Sequence, residues 1–310
     1  MPDTIPSYDS MAAFYAAIGG TMEQVEGFTV HPMEEVHAEA PYVSPLFRAN
    51  YYSIVLIRTG GGHYVIDEQT HPTRARTIYF TNPGHVKGFG VKEPTTGFVI
   101  TFEEGFLKRY VHGGVLDDFP FLIAEAVPPS YLAPEHFRSY DDLAAQLLRE
   151  YEGASTYKFK VLGSLLVVLL LKLREDFWDT YDPLCEADDT TDGSTLLVRT
   201  FKRNLEARLR ALVAGDGPPE ARALPQVQDL AAAQHLHPSD FSTVVRRKTG
   251  RSVNAWIAEK ATAEAQALLA RTEVPVKEVA YRLGFKEPGH FSRYFKKHTG
   301  QTPTTFRAGV

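Results

Sequence analysis

The sequence predicts an α+β chain of more than one domain: a strand-rich N-terminal half followed by helices, then an all-α C-terminal half with a duplicated helix-turn-helix. Three observations predict it. The chain has 310 residues, too many for one compact domain and comfortable for two. Between residues 50 and 103, β-branched and aromatic runs alternate with Gly and Pro, whereas beyond about residue 134 the apolar period becomes helical. Finally, a pattern near residues 230–250 recurs near 279–300.

Composition narrows the class. Hydrophobic residues make up 44% and charged residues 23%, ordinary values that exclude wholesale disorder and fibrous repeats. The start, Met1-Pro2-Asp3, lacks the basic and apolar regions of a secretory signal. The longest apolar stretch, 161–171, is interrupted by Gly163 and Ser164 and is shorter than the roughly 20 residues a membrane span needs. A cytoplasmic protein without a membrane partner is expected. The single cysteine, Cys185, excludes an intrachain disulfide and a multi-cysteine zinc site.

In chain order, Tyr51 to Ile57 reads as a strand, ended by a turn at Gly60-Gly61-Gly62. His63-Tyr64-Val65-Ile66 restarts a strand, Asp67-Glu68-Gln69 turns, and Thr77 to Phe80 is the next strand before Asn82-Pro83-Gly84. A further strand covers residues 97–102. Strands this short and this regularly punctuated suggest a sandwich or small barrel. Residues 134–151 then form a helix with Phe137, Leu143, Leu147 and Leu148 on its apolar side and Pro134 at its start. Residues 157–178 form a second helix, apolar nearly all round, which belongs either to a core inside the subunit or to an interface with a second copy. Its Leu169 is taken as an outward residue. The acidic stretch 183–194 reads as a linker between domains at 1–182 and 195–310. Another helix spans 195–214 and ends at Gly215-Asp216-Gly217-Pro218-Pro219.

The repeat carries the functional reading. Phe241-Ser242 matches Phe291-Ser292, Arg246-Arg247 matches Lys296-Lys297, and Thr249-Gly250 matches Thr299-Gly300, all 50 residues apart. Upstream, Leu230-Ala231 matches Val279-Ala280 at an offset of 49, which puts one extra residue in the second turn. Ala231 and Ala280 are small where two helices cross, Leu236 and Phe285 are expected to anchor the turns, and Gly284 supplies a permissive backbone. In the second helix of each copy, Phe241, Val244 and Val245, or Phe291, Tyr294 and Phe295, face inward. The opposite faces present Ser239, Ser242, Thr243, Arg246 and Arg247, or Gly289, His290, Ser292, Arg293, Lys296 and Lys297. Small polar side chains interleaved with cations suit major-groove base edges and flanking phosphates. Charge agrees: residues 225–310 hold 13 Lys and Arg against 7 Asp and Glu, while the remaining 224 hold 20 against 31.

Residues from about 227 to 307 resemble the DNA-binding domain of the AraC/XylS family of bacterial transcriptional regulators. The resemblance is most specific from Val276 through Gly284-Phe285, His290-Phe291-Ser292-Arg293 and Thr299-Gly300-Gln301-Thr302-Pro303 to Phe306-Arg307. It implies two helix-turn-helix units (about 227–250 and 276–300) joined by a helix over 253–270, reading successive major grooves of double-stranded promoter DNA. Pro288-Gly289 departs from the more polar start of many second recognition helices, which shifts base reading toward His290 and Arg293.

The resemblance also implies a cupin-like β barrel in the N-terminal half, binding a small-molecule effector and followed by a dimerising helix, with RNA polymerase as a further partner. Arg48, Tyr64, Tyr79, Lys87 and Phe89 are the expected ligand-binding residues, and their cations suit an acidic effector. The alternative is a metal-dependent cupin enzyme fused to a DNA-binding module. The isolated His63, His71 and His85 lack the His-x-His pair of such sites, so no metal, cofactor or catalytic residue is expected.

Overall fold

A computed structural model of the chain describes residues 5–8, 10–17, 26–36, 40–66, 69–111, 115–123, 129–178, 193–215 and 223–309. The chain forms two compact units, the first from residues 1–111 and 116–189, the second from 190–310 with 112–115. Most of the expected linker (183–192), Cys185, and the turn residues Asp67, Glu68 and 216–219 lie outside the described residues.

The first unit is built on one nine-stranded sheet in the order β1-β4-β8-β5-β7-β9, with β2 and β3 also on β8 and β6 on β5. Its two long strands, β5 (Tyr52–Ile66) and β8 (Val86–Phe102), pair antiparallel along most of their length. Around them lie β1 (Ser7–Tyr8), β2 (Phe28–Pro32), β3 (Tyr42–Val43), β4 (Phe47–Ala49), β6 (Gln69–Thr73), β7 (Thr77–Thr81) and β9 (Ser130–Tyr131). The expected turn at Gly60-Gly61-Gly62 is absent. The strand runs straight through it, with register shifts between Ile57 and Gly62. Glycine makes this possible twice over. Gly60 has φ 80°, and a Cβ at Gly62 would sit 1.9 Å from the Gly90 carbonyl oxygen. The triplet bends a strand instead of ending it, and both halves of β5 then line one cavity.

Two helices follow the sheet. The first, Pro134–Glu152, buries Phe137, Leu143 and Leu147 as expected, together with Tyr140 and Ala144. The second, Lys158–Leu173, buries Leu162, Gly163, Leu166, Leu169, Leu170 and Leu173. Gly163 is required there, because a Cβ would stand 2.5 Å from the Tyr110 carbonyl oxygen. Leu169 is fully buried, contrary to the outward placement expected of it. The helix is apolar on both faces, so its sequence does not distinguish them. Its outward face instead carries Ser164, Val168 and Leu171, the last two 44% and 51% exposed.

The second unit is all helix: Gly193–Ala214, Val227–Ala232, Pro238–Thr249, Val253–Arg271, Val276–Arg282, Pro288–Thr299 and Pro303–Ala308. The first of these starts two residues inside the stretch read as linker. Each helix-turn-helix has its own core. Phe241, Val245, Leu230 and Ala231 pack with Phe201, Leu205 and Trp256, and Phe291, Phe295, Val279 and Ala280 pack with Leu269, Leu283 and Phe306. Val244 and Tyr294 are half-buried. Phe285 packs on the second core, whereas Leu236, its counterpart, is 37% exposed and is not among the hydrophobics packed on the first core.

The one-residue offset has a structural correlate. Gly284 takes φ 77° in the second copy, and 49 residues earlier His235 takes φ 56°. The extra residue therefore enters after Phe285 and before Pro288, which matches Pro238. A side chain in the left-handed region carries a backbone cost that glycine avoids. His235→Gly is expected to stabilise the second unit by about 0.5–1 kcal/mol, read as a rise in the urea midpoint at constant slope. A lower midpoint would mean that the His235 ring contributes more than its backbone costs.

Candidate functional site

The second helix of each copy offers a polar face over a buried apolar one. Pro238 and Pro288 occupy the first turn of these helices, where the missing N–H is harmless, and Gly250 and Gly300 close them with φ 75° and 79°. With Phe241 and Val245 buried, Ser239, Thr243, Arg246 and Arg247 are exposed and Ser242 is half-buried. With Phe291 and Phe295 buried, Gly289, His290, Arg293, Lys296 and Lys297 are exposed and Ser292 is half-buried. Every expected DNA-facing residue therefore reaches the surface of its helix.

Several of these groups have local partners. The Ser239 hydroxyl donates to the Asp240 carboxylate at 3.2 Å and lies 2.8 Å from His237 Nδ1. Thr243 and Ser292 donate to the carbonyls four residues back, Ser239 and Pro288, at 2.8 and 3.0 Å. These hydroxyls keep lone pairs to accept with, but their protons are committed to the helix. Arg247 donates to Ser194 Oγ at 3.0 Å and Lys248 to Thr195 Oγ1 at 3.2 Å, which ties the end of the helix Pro238–Thr249 to the start of the helix Gly193–Ala214. His290 lies 3.5 Å from Glu287.

The first unit holds a cavity of about 380 Å³. Tyr64, Tyr79, Lys87 and Phe89 line it, as expected, together with Tyr8, Phe14, Tyr15, Phe47, Tyr51, Ser53, Val55, His63, Thr81, Val99 and Thr101. Arg48 does not line the cavity. Alternate residues of a strand face opposite sides, so Phe47 points in while Arg48 Nη1 donates to the Gly84 carbonyl at 2.7 Å. The walls are held firmly: Tyr64 stacks on Tyr79 at 4.4 Å, and Phe14 on Phe47 at 5.0 Å. Burial pushes the Tyr51 and Tyr79 phenols well above their usual range, so both stay neutral at physiological pH. Lys87 is 4% exposed; its ammonium donates to the Tyr51 carbonyl at 3.3 Å and lies 5.2 Å from the Tyr51 ring.

Sequence reasoning missed Ser53, Thr81 and Thr101, whose inward direction follows only from strand pairing. Of the three histidines weighed for a metal, His63 lines the cavity and His85 is buried outside its lining. Among the described residues no group of three His, Cys, Asp or Glu side chains is placed to hold a metal.

The chain matches two family models, an AraC-like ligand binding domain over residues 33–156 and a helix-turn-helix domain over residues 230–309. The arabinose operon regulatory protein of Escherichia coli is 42% identical over 84 residues, 26% of this chain and 29% of that protein. Thus the chain spans less than a third of this relative's length. The uncharacterized HTH-type transcriptional regulator YfiF of Bacillus subtilis is 21% identical over 279 residues, 86% of this chain and 80% of its own. Among solved structures, apo ToxT from Vibrio cholerae matches over 92% of this chain and 98% of its own, at 12% identity and a TM-score of 0.40. An AraC-like ligand-binding domain model followed by a helix-turn-helix model, with the arabinose operon regulatory protein as a relative, makes this chain a member of the AraC/XylS family of transcriptional regulators.

Proposed function

We propose that the chain is a sequence-specific DNA-binding regulator, acting as a homodimer, whose promoter binding is set by a small molecule in the N-terminal cavity. One observation carries the reading most: two recognition helices in repeat register, each with an exposed polar and cationic face over its own buried core. In this reading Arg293 and Arg246 read base edges, and Lys297 and Arg247 neutralise phosphates. The helix Val253–Arg271 joins the two helix-turn-helix motifs and supports both of their cores: Trp256 and Ile257 enter the first, Ala265 and Leu269 the second. Its Lys260 pairs with Glu206 at 3.2 Å, both almost wholly buried, which fixes it to the helix Gly193–Ala214.

The test is selection of a binding motif from randomised duplexes by the full chain, followed by titration over a salt series. Binding is expected to weaken steeply with salt, since each neutralised phosphate releases a counterion. Arg293→Ala should cost about 1–3 kcal/mol and relax preference at one position. Lys297→Ala should weaken binding to all sequences alike and reduce the salt slope by about one. Failure to enrich any motif would sink the reading. Equal, sequence-independent losses from both changes would make Arg293 a phosphate contact.

A further inference from the structure

We propose that the cavity of the first unit takes a small monocarboxylate with a ring-bearing apolar body, its head held by Lys87 and by the hydroxyl row Thr81, Ser53 and Thr101. The proposal deepens the effector reading above and rests on it only for the consequence of binding.

Strand register builds the row. On β5, Ser53 pairs with Thr81 of β7 on one side and Thr101 of β8 on the other. All three side chains line the cavity, so three adjacent strands set three hydroxyls side by side, roughly 5 Å apart. Two residues further along the same strands, the paired set is Tyr79, Val55 and Val99, which also line the cavity. The wall therefore changes from hydroxyl to apolar within roughly 7 Å. Lys87 joins the polar end. Its ammonium reaches the carbonyl of Tyr51, two residues before Ser53.

The chemistry of the lining then selects the ligand. Lys87 is the only Lys or Arg among the described lining residues, and none of them is Asp, Glu, Asn or Gln. A cationic ligand would meet the Lys87 ammonium, with no Asp or Glu among the described lining residues to receive it. A polyol would lack the amides and carboxylates that pair its many hydroxyls. A carboxylate suits the donors present, because charge-assisted hydrogen bonds are the stronger kind. The Thr101 hydroxyl already bonds Thr29 at 2.5 Å. The Thr81 hydroxyl is fully buried and has no hydrogen-bond partner among the described residues. Buried hydroxyls are seldom left unbonded, so this one marks where a ligand oxygen belongs. Faces and edges of Tyr51, Tyr64, Tyr79 and Phe89 surround the remaining space, which favours flat rings. At about 380 Å³ the volume is at the small end for ligand sites and suits one or two rings.

The test is calorimetric titration of the full chain with benzoate, trans-cinnamate and 1-naphthoate, each beside its primary amide, with decanoate and a neutral monosaccharide as comparators. At least one aryl acid is expected to bind saturably at one site per chain, with its amide roughly tenfold weaker or worse. Lys87→Met should abolish the preference for acid over amide. Thr81→Val, which keeps the shape, should weaken the acid several-fold and serves if the lysine variant fails to fold. Amides binding as well as acids, tighter binding of the monosaccharide or decanoate, or no binding of any aryl acid would overturn the proposal. An aryl acid that binds as expected yet leaves promoter affinity unchanged would remove the effector reading while the ligand class stands.

Discussion

Replacing Phe291 by alanine is expected to cost about 3–5 kcal/mol and to melt the second helix-turn-helix. Phe291 is fully buried. Its ring lies 5.4 Å from Phe285 and 5.8 Å from Phe295, within a cluster of only eight buried residues. So small a core has few neighbours able to collapse into the space left behind. The loss is comparable to the whole stability of a small domain. Hydrogen exchange over residues 276–308 should accelerate strongly, while the strands of the first unit keep their protection. Promoter affinity should fall with it, since half of the proposed base-reading surface goes. Phe291→Leu should cost far less. A penalty below about 1 kcal/mol for the alanine variant would mean that Phe291 is not the keystone of this core.

A second large effect is expected on the helix Lys158–Leu173. Val168 and Leu171, one turn apart and both exposed, form an outward apolar stripe, and we propose this stripe as the contact of the homodimer. Val168→Glu with Leu171→Glu would place two charges in that contact without partners. Sizing by light scattering should show a monomer with the first unit still folded. Promoter binding should weaken by roughly a hundredfold or more, the range lost when two linked sites become independent. Leu169→Glu is the informative control. It puts a charge into the subunit's own core and should unfold the first unit. A wild-type chain that is monomeric at every concentration tested would end the dimer proposal. A double variant that stays dimeric would move the contact elsewhere.

The contrast between Leu169 and Leu171 marks the limit of what sequence alone could decide. Most of the duplicated helix-turn-helix was legible: buried Phe241 and Phe291, small Ala at the crossings, Gly284 at a left-handed turn, and cations on the opposite face are local, periodic signals, whereas the exposure of Leu236 and the left-handed His235 were not. The second helix of the first unit was legible as a helix, but its two faces are equally apolar, and only the packing against its neighbours chose which leucines to bury. The glycine triplet was legible as a break in the pattern, yet whether glycine turns a strand or bends it depends on the partner strand, here Gly90 pressed against Gly62. The expected cavity residues divide the same way. Lys87, Tyr64, Tyr79 and Phe89 were found, Arg48 was misplaced by one step of strand alternation, and the hydroxyl row was missed. Thr81, Ser53 and Thr101 are far apart in sequence and meet only through register. Local periodicity determined the elements of this protein, and long-range pairing decided which side chains they turn toward the cavity.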